Sequence, residues 1–186
     1  MLLRNVVYAV TQEGGVRMEI QELTAYFAQY GPVFVFVIVF LEYLNLPGLP
    51  SGVILPLAGI WASRGEVGIL TVVLLSVTAG LMGSWVLYFL GRKGGETFLG
   101  LYIKHFPKQK DLIYQKMEEL RRKGAVGVFA AKLIPVARTF ISIPAGMIAM
   151  NFGTYTVSSL LGVFVWNLLF IGAGYLLGDS VFTLLT

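Results

Sequence analysis

The chain has 186 residues, 56% of them hydrophobic and 13% charged, with a formal net charge of +4 and a mean hydropathy of +0.77. A water-soluble domain carries about a quarter of its residues as charges, so these values exclude one and indicate a polytopic membrane protein. Cysteine is absent, which rules out disulfides, thiolate metal sites and thiol chemistry.

Residues 1–25 read as an N-terminal extension and interfacial segment. Thr11, Gln12, Glu13, Gly14 and Gly15 stand where a cleavable signal would carry its apolar core, and Met18 offers an alternative start. The remainder, 26–186, reads as a single membrane domain. From Tyr26 the sequence is apolar apart from Gln29 and Glu42 until it meets Asn45-Leu46-Pro47-Gly48-Leu49-Pro50-Ser51-Gly52. Two prolines and two glycines so close together cannot continue a helix. Residues 53–62 then supply about 15 Å of helix at 1.5 Å per residue, half of a bilayer core. A re-entrant hairpin over 32–62 is the economical geometry, although 26–44 is long enough to span alone.

The run 67–90 is a spanning helix, free of charge from Ile69 onward. A polar segment, 92–124, follows and holds nine of the fourteen Lys and Arg residues, which places it on the cytoplasmic side. Pro107 and Gly124 bracket an amphipathic helix within it. Ile113, Met117 and Leu120 share one face, and Glu118 with Arg122 and Glu119 with Lys123 form i,i+4 pairs. Topology alone accounts for this basic charge, so no nucleic-acid partner is indicated. His105, the one histidine, sits in this stretch as a solvated or interfacial residue; a metal site needs several converging ligands, and neither metal nor cofactor is expected.

Hairpin two occupies 125–150. Its first arm, 125–134, breaks at Pro135, and 139–143 runs into Pro144, so neither arm can span. Irregular backbone at membrane depth must be enclosed by protein or a water-filled cavity, and the two hairpin tips are expected to face each other. A second spanning helix, 155–177, carries no charge at all.

The two halves repeat. Ala58 and Gly59 match Ala145 and Gly146 at an offset of 87, and the same offset carries Tyr88 and Gly91 onto Tyr175 and Gly178 without a gap. If each hairpin returns to the side it entered from, the crossing between them makes the repeats inverted, the arrangement of many transporters. The fold class is therefore all-α, integral to the membrane: an inverted repeat of re-entrant hairpin plus spanning helix, with an amphipathic cytoplasmic helix between.

Four ionisable residues lie in or beside apolar segments: Glu42, Arg64, Lys132 and Arg138. Arg64 sits with Glu66 at an interfacial turn. Lys132 and Arg138 flank Pro135, three residues to either side, and two cations around one helix break suit an anion, with Arg138 offering a planar fork and Lys132 a point charge. Thr139 is a further candidate contact. The bland alternative for Lys132 is snorkelling toward the interface. Glu42, the acid of hairpin one, could neutralise one of these cations, carry a coupled proton, or form a purely structural ion pair. Trp85, Tyr88, Trp166, Asn167 and Tyr175 read as packing or anchoring residues. No His or Cys lies in an apolar segment to act as nucleophile or base, so the reading is a transporter and not an enzyme.

These motifs resemble the DedA family of bacterial membrane proteins, related to the VTT-domain (SNARE-associated Golgi) proteins. The resemblance runs from about residue 30 to 180: an acid ahead of P-x-x-P, then AG, then Y-x-x-G-R-x-x-G at 88–95, F-x-x-K-x-x-P-x-x-R-T-F at 129–140, AGMIAMNF at 145–152, Trp166 and GYLLG at 174–178. It implies transport of undecaprenyl phosphate across the cell membrane, with essential acids and arginines in the hairpins and coupling to the proton-motive force. Passive phospholipid scrambling, or an assembly role without coupling, is the alternative. Glu42 takes the place of the family's acid, and Lys132 and Arg138 those of its arginines. Two departures stand out: Ser51-Gly52 occupies a place where members often carry a second acid, and Lys132 replaces an arginine. Many members also continue into a further helix beyond GYLLGD. The implied partners are an anionic lipid and the bilayer itself, with a homo-oligomer open.

Overall fold

The computed structural model describes residues 20–44, 52–65, 67–105, 110–135 and 137–178, and all regular structure within them is helical. In chain order the helices are α1 Ile20–Tyr43, α2 Ile54–Ser63, α3 Ile69–His105, α4 Lys110–Lys132, α5 Ala137–Phe140, α6 Ser142–Met147 and α7 Phe152–Leu177. Most of the N-terminal extension, the first hairpin's tip at 45–51, and Glu66, the expected partner of Arg64, lie outside the described residues.

Two stretches are long and apolar enough to cross a bilayer, Ile69–Gly95 of 27 residues and Phe152–Leu177 of 26. At 1.5 Å per residue each reaches about 40 Å, against roughly 30 Å of hydrocarbon. Both expose apolar faces: Leu70, Leu90, Leu169 and Leu176 stand out from them, the last 81% exposed. A core helix of a water-soluble protein buries such a surface, whereas lipid solvates it.

The first spanning helix does not stop at Leu90. Nothing between Arg92 and His105 interrupts the backbone ladder, and α3 carries on through Gly94 and Gly95 into the basic segment as one rod. The amphipathic helix of α4 breaks at Gly124, where φ is 51° and ψ −127°. Gly31 breaks α1 in the same way, at φ 53° and ψ −134°, directly before Pro32. This region is open to glycine because it has no Cβ, so the two segments expected to be hairpins each follow a glycine hinge of nearly identical shape. The break divides the run 26–44, and the helical arm after it, 32–43, is about 18 Å long. On the polar face of α4, Lys123 pairs with Glu119 at 2.6 Å. Glu118, expected to reach Arg122, instead meets Arg121 at 3.6 Å; both groups are well exposed, so the exchange matters little for stability.

The chain packs as two units, Met1–Gly80 with Asn167–Thr186, and Leu81–Trp166. Each joins one hairpin to part of both spanning helices, so the packing unit is not a hairpin with the helix that follows it. In the first unit α2 crosses the C-terminal half of α7, and a Cβ on Gly59 would collide with the Ile171 carbonyl, while one on Gly174 would collide with that of Pro56. In the second unit α6 crosses α3: Gly146 meets the Tyr88 carbonyl and Gly91 that of Ile143. Contact for contact, the hairpin positions correspond at the offset of 87, Pro56 with Ile143 and Gly59 with Gly146. The spanning-helix positions correspond at 83, Ile171 with Tyr88 and Gly174 with Gly91. The gap-free match of Gly91 to Gly178 is thus displaced by four residues, one helical turn. Backbone-to-backbone approach selects the glycine that makes the contact, and Tyr88 and Tyr175 each border a crossing but correspond there to Ile171 and Arg92, not to each other.

Candidate functional site

Hairpin two folds from a helix that its own sequence terminates. At the end of α4 the amides of Leu133 and Ile134 donate to Ala130 and Ala131 carbonyls at 3.1 Å each, tightening the last turn. Pro135 has no amide to donate and disfavours helix in the residue before it. The chain re-enters helix at Ala137, with the Arg138 amide donating to the Ile134 carbonyl at 2.9 Å. The break brings Lys132 and Arg138 together within the second unit, both only 1% exposed.

Lys132 points inward. Its ammonium donates to Ser84 Oγ on α3 at 2.8 Å, to the backbone carbonyl of Arg138 at 2.8 Å and to Ser142 Oγ on α6 at 3.1 Å. The stem lies against Gly162 of α7, where a Cβ would overlap that of Lys132 and stand 3.1 Å from its Cγ. This is not snorkelling: the charge is held within the unit by neutral oxygens. Arg138 projects elsewhere, its guanidinium carbon 5.2 Å from the centroid of the Trp166 ring, within cation–π range. Thr139, beside it, is buried at the same break.

An aromatic and polar lattice holds this region together. Tyr155 donates its hydroxyl to the Ser84 carbonyl at 3.0 Å and stacks on Tyr88 with centroids 4.5 Å apart. Tyr88 donates to the Met150 carbonyl, and Arg92 Nη1 donates to the Tyr88 hydroxyl at 2.9 Å. Trp85 Nε1 donates to Thr156 Oγ1 at 3.1 Å. Trp85 and Tyr88 are packing residues, as expected, and both also tie α3 to its neighbours by hydrogen bonds.

Glu42 belongs to the first unit, in the last turn of α1, and is 3% exposed. Its neighbour Tyr43 donates its hydroxyl to Asn167 Oδ1 at 3.1 Å. Gly80 makes room for the tyrosine ring, since a Cβ there would lie 2.9 Å from Tyr43 Cε2. Of the candidate substrate and coupling residues, then, Lys132, Arg138 and Thr139 share the second unit and Glu42 lies in the first. Ser84, Ser142 and Gly162 were not legible as partners of Lys132. Ser142 lies four residues after Arg138, one helical turn on, but a serine in an apolar helix carries no signal of what it will meet. Among the described residues no group of three or more metal-ligating side chains converges.

A family model described as the VTT domain matches residues 49–176, taking in both spanning helices and all of hairpin two. The chain is 34% identical over 171 residues to Undecaprenyl phosphate transporter A of Staphylococcus aureus, covering 89% of this chain and 83% of that one. It is 34% identical over 132 residues to the Bacillus subtilis protein of the same name, covering 71% and 67%. To Protein DedA of Escherichia coli it is 27% identical over 172 residues, covering 88% and 76%. No solved structure matches the chain.

Proposed function

The chain belongs to the VTT-domain family, with the DedA proteins, and from that premise we propose that it carries an anionic lipid phosphate, undecaprenyl phosphate, across the cell membrane in a proton-coupled cycle. The observation that carries this reading is Arg138, a guanidinium enclosed beside the Pro135 helix break in an apolar stretch of the chain. A charge at membrane depth costs roughly 2.5–3.5 kcal/mol on the insertion scale and is seldom retained without a task. Its fork matches a phosphate bidentately, and the Thr139 hydroxyl beside it is a further donor.

In this reading Arg138 and Thr139 take the headgroup while the prenyl tail stays in lipid, and no covalent bond is made or broken. Glu42 carries the coupled proton. Both hairpins are re-entrant, in inverted repeats, with 92–124 on the cytoplasmic side. Arm lengths support this: 32–43 and α2 are each well short of the hydrocarbon thickness, and the basic residues cluster between the hairpins. Arg138 is buried in this structure, so the headgroup reaches it only after the surrounding helices move, as alternating access requires.

The test is uptake of undecaprenyl phosphate by liposomes containing the purified full chain, with and without a pH gradient. Faster movement with the gradient supports the proposal. Equal movement in both conditions makes the protein a passive scramblase, and no movement of any lipid phosphate overturns the transport reading.

A further inference from the structure

We propose that of the two cations in hairpin two only Arg138 contacts the headgroup, and that Lys132 is a positioning residue that holds Arg138 in place from behind. The inference deepens the transport reading above and rests on it.

The geometry of the ammonium carries the argument. A lysine has three N–H donors and no more, and Lys132 has three oxygens at 2.8, 2.8 and 3.1 Å. A phosphate could reach it only by displacing one of them. Those oxygens come from three different segments: the spanning helix α3, the short helix α5 just past the break, and α6 after it. The ammonium therefore ties the returning half of the hairpin to α3 at one point.

One of the three is the backbone carbonyl of Arg138. Helix α5 has four residues, too few to satisfy its own terminal carbonyls, which must find donors elsewhere. Lys132 is that donor for Arg138. The stem has no freedom to swing away, because the slot it occupies exists only where Gly162 lacks a side chain. The head of Lys132 thus addresses the backbone of Arg138, while the guanidinium extends over the Trp166 ring. Backbone and side chain of Arg138 are each held by a different neighbour.

A ligand role and a positioning role make opposite predictions for the serines. If Lys132 binds the headgroup, removing the two hydroxyls frees donors for it and affinity holds or improves. If Lys132 positions Arg138, the same change loosens the anchor and affinity falls, although both cations are still present. The experiment uses the full chain in detergent and measures binding of farnesyl phosphate by titration calorimetry. It compares the parent, Ser84→Ala with Ser142→Ala, Lys132→Met and Lys132→Arg. The positioning role requires the serine pair to weaken binding about tenfold, within threefold of Lys132→Met, and Lys132→Arg, which can reach the same acceptors, to restore most of it. Unchanged or tighter binding in the serine pair overturns the proposal. If the pair does not fold, as judged by its melting profile, Ser142→Ala alone carries the comparison with the same two outcomes. A parent chain that does not bind farnesyl phosphate refutes the transport reading itself, a result distinct from a parent that binds and a serine pair that binds equally well.

Discussion

A side chain on Gly59 would run into the backbone of Tyr175, with its Cβ 2.8 Å from the amide nitrogen. The equivalent approach in the second unit sets Gly146 against Arg92, again at 2.8 Å from the amide. Small residues at such crossings let helices pack through van der Waals contact where lipid gives no hydrophobic drive. Gly59→Ala and Gly146→Ala are therefore expected to lower the melting temperature of the detergent-solubilised protein sharply. Gly94→Ala and Gly172→Ala, where a Cβ meets nothing within 4 Å, should leave it unchanged or raise it, since alanine favours helix by about 1 kcal/mol. Equal effects at all four positions would show that the crossings are not close contacts.

The Tyr43–Asn167 hydrogen bond makes a second prediction. Both residues are buried, and the amide nitrogen of Asn167 has no hydrogen-bond partner among the described residues. Tyr43→Phe then strips the amide of its remaining contact, at a cost of about 1–3 kcal/mol. Asn167→Leu in the same protein removes the stranded group and should recover much of the loss. Thermal melting of the two variants checks this, and a double variant less stable than Tyr43→Phe would contradict it.

What the sequence made legible was the punctuation of the chain. Pro135 marked the break in hairpin two, Gly124 the end of the amphipathic helix, and a few charges in an apolar background marked the residues worth watching. Gly31 was missed because an apolar run from Tyr26 to Leu44 hides a kink, although the Gly31-Pro32 pair was a signal for it. The length of α3 was missed because charge at Arg92 and Lys93 marks a change of solvent, not a change of backbone. The partners of Lys132 and the one-turn displacement between the repeats depend on which surfaces meet in three dimensions. Local pattern carries no information about either.

Topology is open to a direct measurement because the chain has no cysteine. Lys123 and Thr154 are exposed and flank hairpin two, so Lys123→Cys and Thr154→Cys, tested one at a time, report its two ends. If the hairpin is re-entrant, both label with a membrane-impermeant maleimide only from the cytoplasmic side. Labelling from opposite sides would mean that the segment crosses.

Arg138→Lys and Lys132→Arg both conserve charge, yet they are expected to differ. The first removes the fork that matches phosphate and weakens stacking over Trp166, and should reduce lipid phosphate transport about tenfold or more. The second keeps a donor for the Arg138 carbonyl and should stay within about threefold of the parent. Initial rates in proteoliposomes at matched protein content decide between them, and equal losses would count against bidentate recognition.

Glu42 provides the sharpest test of coupling. It is buried near the end of a helix arm, and an acid in such a place serves either to carry a proton or to stabilise the fold. Glu42→Gln separates the two, because the amide keeps size and hydrogen bonding but cannot ionise. As a proton carrier, the variant should melt close to the parent and still exchange lipid phosphate between leaflets, while an imposed pH gradient no longer accelerates movement. As a structural counter-charge, it should leave a buried cation uncompensated, which typically costs about 3–5 kcal/mol, and both exchange and gradient response should fall with the loss of folded protein. Melting temperature, exchange rate and gradient response measured on one preparation distinguish these outcomes. A variant that melts far below the parent, with transport lost in proportion, would refute the proton-carrier role.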